Sequence, residues 1–201
     1  MPLDVVTAFC LFAFVTSITP GPNNLMLLVS GVNFGFRASV PHVLGISSGF
    51  MVMVAAVGLG LAQIFSRYPP IYTAMKWAGA AYLIYLAWRI ATTVAPSGEN
   101  TRAQGRPLDF IGAATFQWVN PKAWFMAVSA FSTYVPGAAG FALIAGVAAL
   151  FAAINAPCVA LWALSGSRMR QLLQVPRYRR AFNIGMALLL LVSLYPMIET
   201  S

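Results

Sequence analysis

Acidic residues are nearly missing from this chain: four Asp and Glu stand against twelve Lys and Arg in 201 residues. Asp4 and Asp109 fall at the ends of apolar runs, Glu99 in a hydrophilic linker and Glu199 near the C-terminus. Hard divalent cations need oxygen ligands of that kind, so no metal site is expected, and a divalent-cation transporter is disfavoured. Ion pumps and proton relays are built on mid-membrane carboxylates, and here none is in place; a cationic amino acid would likewise find no counter-charge. Cysteine is scarce too. Cys10 and Cys158 lie far apart in apolar runs, where a free thiol acts as a small hydrophobe. A membrane thiol-redox conduit needs two thiols that meet and exchange disulfides, and that alternative is correspondingly weak. No catalytic group and no cofactor is expected.

Charge of either sign is low. Only 8% of the residues are charged and 60% are hydrophobic, against about 25% charged in soluble domains. A membrane-spanning helix takes roughly 20 apolar residues, and the apolar runs place spans at residues 3–31, 41–65, 71–93, 109–133, 138–164 and 181–195. The net charge of +8 does not point to nucleic acid, because most of the cations sit in short loops between those runs. Arg37, Arg89, Arg102, Arg106, Arg168, Arg170, Arg177, Arg179 and Arg180 fall on one side, and only Arg67 and Lys76 on the other. By the positive-inside rule both termini are expected outside, in the periplasm of a Gram-negative cell. The first run has no basic leader and exceeds signal-peptide length, so it is expected to remain as a span.

What is present is an interruption where none belongs. Thr19-Pro-Gly-Pro-Asn-Asn24 breaks the first apolar run. Proline removes a backbone donor and clashes with the preceding turn, and freed backbone groups are tolerated at membrane depth only against protein or water. The fourth run carries Asn120-Pro-Lys122 near its middle, and the fifth a weaker interruption at Asn155-Ala-Pro157. A shift of 99 residues pairs Pro22 with Pro121, Val29 with Val128 and Ser30 with Ser129. A shift of 106 pairs Gly79, Ala81 and Leu83 with Gly185, Ala187 and Leu189. Three spans per half put the second half upside down. The expectation is an all-α integral membrane protein, one transporter domain over residues 1–201. It comprises two inverted three-helix repeats (1–94 and 108–198, linker 95–107), with helices 1 and 4 broken near mid-membrane. Paired interruptions of this kind point to a midplane transport site. In the second span, Gly45-Ile-Ser-Ser-Gly49 is a small-xxx-small pattern for close helix packing, and Gly58 and Gly60 extend the same narrow face.

Ser17-Ile-Thr-Pro-Gly-Pro-Asn-Asn24, Gly35-Phe-Arg37, Trp77-Ala-Gly-Ala-Ala-Tyr-Leu83 and Asn120-Pro-Lys122 resemble the LysE/RhtB amino-acid exporters over nearly the whole chain. Within that family, Ala8-Phe9 and residues 77–91 look most like the cysteine and O-acetylserine exporters. The resemblance implies efflux of small amino acids from the bacterial cytoplasm across the inner membrane, powered by the membrane potential or proton gradient. A small neutral amino acid of the threonine/homoserine or cysteine/O-acetylserine type suits the missing counter-charge.

Lys122 is the most telling side chain. A lysine at a helix centre costs about 2.5–3.5 kcal/mol on insertion scales, so it faces a substrate carboxylate or, alternatively, carbonyls freed by Pro121. Asn23, Asn24 and Asn120 offer donors and acceptors for a zwitterion or for backbone stranded by the prolines. Gln117, Thr19 and Asn155 complete the candidate substrate-binding set. Pro20, Gly21, Pro22, Pro121 and Pro157 are the candidate hinges. His42, at the start of the second span, titrates near neutrality and is a candidate proton carrier; an interfacial histidine without that role is the plainer reading. Expected partners are the amino acid, membrane lipid and the proton as coupling ion; the glycine faces suit packing within one subunit or a homodimer.

Overall fold

The computed structural model describes residues 1–93, 106–135, 137 and 139–195. Most of the linker, with Glu99 and Arg102, and the C-terminal Glu199 lie outside the described residues. In chain order the helices are α1 (Leu3–Ile18), α2 (Pro22–Phe34), α3 (Phe36–Gly58), α4 (Leu61–Arg67), α5 (Pro69–Thr92) and α6 (Phe110–Phe116). A 3-10 turn, Gln117–Val119, then leads into α7 (Pro121–Tyr134), α8 (Phe141–Met169) and α9 (Pro176–Val192).

The first predicted span is two helices. Thr19 and Pro20 leave the helical path, Gly21 is extended, and Pro22 opens α2 at its first turn, where its missing N–H has no intrahelical duty. α1 and α2 meet at a 52° bend. The fourth is also broken, through the 3-10 turn and Asn120, with Pro121 opening α7. By length and apolarity α3 and α8 each suffice to cross a membrane, and the bent α1–α2 pair taken together is long and apolar enough for a third, broken span. Among the described residues the other helices are shorter or less apolar.

Three expectations are corrected. α3 begins at Phe36, five residues before the predicted start, and carries Pro41 inside it. It ends at Gly58; Gly60 is a left-handed turn (φ 104°) ahead of α4 and not part of a packing face. α8 runs without a break for 29 residues through Pro157, so the fifth segment holds no third interruption.

α2 packs most extensively on α8, α3 lies between α8 and α6, and α5 pairs with α9. The small-residue pattern does what its spacing predicts. A Cβ on Gly45 would collide with the Phe110 carbonyl, and one on Gly49 with the backbone of Ala114. A reciprocal contact joins α2 to α8: Gly31 lies on the Ala163 carbonyl and Gly166 on the Leu28 carbonyl. The core beneath the breaks is aromatic. Phe151 meets Phe50 edge-on at 4.9 Å and Phe9 at 5.4 Å, and Phe9 meets Tyr134 at 5.8 Å, the geometry that ring quadrupoles favour. Leu11, Phe14, Val52, Ile84, Phe125, Leu161 and Val192 point outward and are exposed. So much exposed apolar surface would be unfavourable in water and is the normal exterior of a protein solvated by lipid.

Candidate functional site

The two breaks face one another. Lys122, the second residue of α7, reaches across to the end of α1. Its Nζ donates to the Thr19 carbonyl at 2.7 Å, to Thr19 Oγ1 at 3.0 Å and to the Pro20 carbonyl at 3.2 Å. An ammonium has three donors, and all three are matched. The carbonyls it caps belong to the first break and not to Pro121, so the second half supplies what the first lacks. Gly21 makes room for this reach: a Cβ there would stand 2.6 Å from Lys122 Cδ.

A second bridge runs alongside. Asn23 Nδ2 donates to Gln117 Oε1 at 2.8 Å, and Gln117 Nε2 returns a bond to Asn23 Oδ1 at 3.2 Å and another to the Ala113 carbonyl at 2.9 Å. Asn24 turns back instead, donating to the carbonyls of Ser17 at 2.9 Å and Thr19 at 2.7 Å. Asn120 Oδ1 accepts from the Lys122 backbone N–H at 3.1 Å and caps α7, a role Asn favours. Among the described residues no side chain caps the start of α2.

Between the breaks lies a cavity holding about 310 Å³ of empty space, part of it open to the surroundings. Gly21, Asn23, Asn24, Asn120, Lys122 and Asn155 are in its wall, with Phe50 and Met126 below. Of the predicted binding residues, Thr19 and Gln117 touch this set through Lys122 and Asn23 rather than lining the cavity. Asn155 enters from an unbroken helix. Its Nδ2 donates to Ser17 Oγ at 3.0 Å, while its buried Oδ1 has no partner among the described residues. A buried acceptor left unpaired costs about 1–3 kcal/mol.

Sequence reasoning missed Ser17 and Trp162. Ser17, 2% exposed, sits inside the quoted motif but two residues before the proline run. Trp162 Nε1 donates to the Ile18 carbonyl at 3.1 Å, closing the end of α1 from α8; nothing local in an apolar helix signals such a contact. His42 lies six residues into α3 rather than at its start. It is 2% exposed, packed among the helices, and neither ring nitrogen has a partner among the described residues. Cys10 and Cys158 are both free thiols.

Broken helices that meet over a polar cavity, inside a shell of lipid-facing apolar side chains, define an α-helical membrane transport protein. The profile of the LysE type translocators matches residues 14–194, and the chain belongs to that family; it is a transporter and not an enzyme. It is 36% identical to the cysteine/O-acetylserine efflux protein of Escherichia coli O139:H28 over 195 residues, covering 95% of this chain and 96% of the relative. The protein of the same description in strain K12 is 36% identical over 194 residues (94% and 95%), and that of Shigella flexneri 36% over 190 residues (92% and 93%). No solved structure matches the chain.

Proposed function

We propose that this chain exports small neutral amino acids of the cysteine and O-acetylserine type across the bacterial inner membrane. It does so as a secondary transporter powered by the proton gradient or membrane potential. The relatives' descriptions support the substrate class. The observation that carries the mechanism is the uncapped first turn of α2, opening onto the cavity beside Lys122. Backbone N–H groups at a helix start, with the dipole behind them, attract an anion. The substrate carboxylate binds there in the field of the lysine, and the ammonium is held by the unpaired Asn155 Oδ1. Asn120 lines the same wall. A neutral zwitterion thus needs no acidic residue.

The whole chain forms one transporter unit of six spans in two inverted halves: α1–α2, α3 and α5 against α6–α7, α8 and α9. Pro22 and Pro121 open α2 and α7 alike. Under that correspondence the packing of α1 and α2 on α8 mirrors that of α6 and α7 on α3, and α5 on α9 is its own mirror. The basic loops lie in the cytoplasm and both termini outside. Alternating access works by parting and remaking the two bridges, Lys122 to Thr19 and Asn23 to Gln117, as the halves rock about the prolines.

Counterflow of O-acetyl-L-serine in proteoliposomes tests this, run beside an amino-acid panel and with or without a pH gradient. Lys122→Ala and Asn23→Ala should abolish exchange while membrane insertion stays intact. Parental rates in both variants would overturn the site.

A further inference from the structure

A second cavity, about 410 Å³ of empty space that includes the part open to the surroundings, lies at the basic end between α2, α3, α5 and the chain at residues 106–108. We propose that it is a separate docking site for a zwitterionic amino acid, occupied on the cytoplasmic side before the solute reaches the pocket between the breaks. This rests on the export reading and on the orientation that places the basic loops inside.

Arg89 and Arg106 both line this cavity, and no carboxylate of the described residues does. Arg89 is held in place: one Nη2 donates to the Arg106 carbonyl at 3.1 Å, and its guanidinium stands 5.9 Å from the Tyr85 ring centre. One of five fork donors is engaged there, and a planar guanidinium with free donors matches a carboxylate in two-pronged fashion. Facing the same space is His42, buried with both ring nitrogens unpartnered. A neutral imidazole offers one donor and one acceptor, and a buried polar group is normally satisfied, so the ring calls for a polar guest. Ser30 adds acceptor capacity. Ser39 donates its proton to the Gly35 carbonyl at 2.9 Å, so in the 2.7 Å pair Ser30 is the donor and its lone pairs remain free. A carboxylate on Arg89, with the ammonium on Ser30 Oγ and the acceptor nitrogen of His42, places both ends of a zwitterion, and the His42 N–H faces the same guest.

The location fits a waiting position. Met26 of this cavity follows Asn23 of the other by three residues on α2, about 4.5 Å along the axis. His42 and Phe50 are eight residues apart on α3, about 12 Å. The two cavities therefore sit one above the other along the same two helices.

The test is equilibrium binding of radiolabelled O-acetyl-L-serine to the purified full chain in detergent, read as molecules bound per chain. Two are expected for the parent. One is expected for Arg89→Gln and one for His42→Phe, each lost from the same site, and Asn23→Ala should lose the other. Combining Arg89→Gln with Asn23→Ala should leave none. His42→Gln, which keeps a donor and an acceptor, should restore the second molecule and separates a binding role from a packing one. One molecule per parent chain, lost in Asn23→Ala and unchanged in Arg89→Gln, would overturn the second site and leave the export reading standing. No binding to a parent protein with an intact unfolding transition would overturn both.

Discussion

The two breaks look alike in sequence but are held together differently. The second is self-sufficient. Asn120 caps α7 by its own side chain, its backbone N–H bonds the Gln117 carbonyl at 3.3 Å, and Trp124 Nε1 closes the Trp118 carbonyl at 2.8 Å. The first break is dependent. Of its carbonyls, Thr19 and Pro20 are held by Lys122 from α7, Ile18 by Trp162 from α8, and only Ser17 and Thr19 by the nearby Asn24. One break is thus a ledge that holds itself and the other is shaped by what leans on it.

Removing what the first break borrows should have the largest consequence. A hydrogen bond from a charged donor is worth about 1.5–3 kcal/mol, and each 1.4 kcal/mol is about tenfold in rate. Lys122→Met is therefore expected to slow efflux about 100-fold or more, while Lys122→Arg should restore part of it; equal rates for the two would show that the charge is immaterial. The amide bridge comes next. Asn23→Ala and Gln117→Ala should each destabilise the protein, and the double variant should fall short of their sum by about 1 kcal/mol, as for partners in direct contact. Additive thermal shifts would dissolve the bridge. Removing the ledge's cap is milder: Asn120→Ala should cost about 1 kcal/mol of stability and Asn120→Asp should recover most of it, since both Asn and Asp cap. Trp162→Phe removes one neutral bond at the dependent break, worth about 0.5–1.5 kcal/mol, read as a lowered unfolding temperature in detergent. Smallest of all is Cys10→Ser with Cys158→Ser, for which export should stay near the parental rate; abolished transport would revive thiol chemistry.

Much of this was legible because it rests on local rules. Proline and glycine inside an apolar run mark a break wherever they fall, and Pro22 and Pro121 stand where helices restart. The spacing of Gly45 and Gly49 likewise shows up as close backbone packing. The same rules misled where proline did not decide. Pro41 suggested a helix start, yet Phe36 to Val40 already belongs to α3, and Pro157 suggested a break inside what is a continuous α8. A helix in apolar surroundings can bend around proline without ending. What lay beyond sequence reading is the pairing of residues a hundred or more apart. Asn155 with Ser17, Trp162 with Ile18 and Lys122 with Thr19 depend on how helices stack, and no spacing along the chain encodes it.

The glycines of α2 and α8 carry a consequence for how the molecule works. With Gly31 pressed on Ala163 and Gly166 on Leu28, the two rods meet backbone to backbone at both points, with no room for a side chain between them. In the rocking proposed above this contact is the pivot, so Asn24 and Asn155 would keep their separation as the halves move. On the proposed reading the solute would meet a fixed gauge on that side, and α1 and α7 would be the jaws that open around it. A covalent tether between α2 and α8 should leave traffic untouched, whereas one between α1 and α7 should stop it.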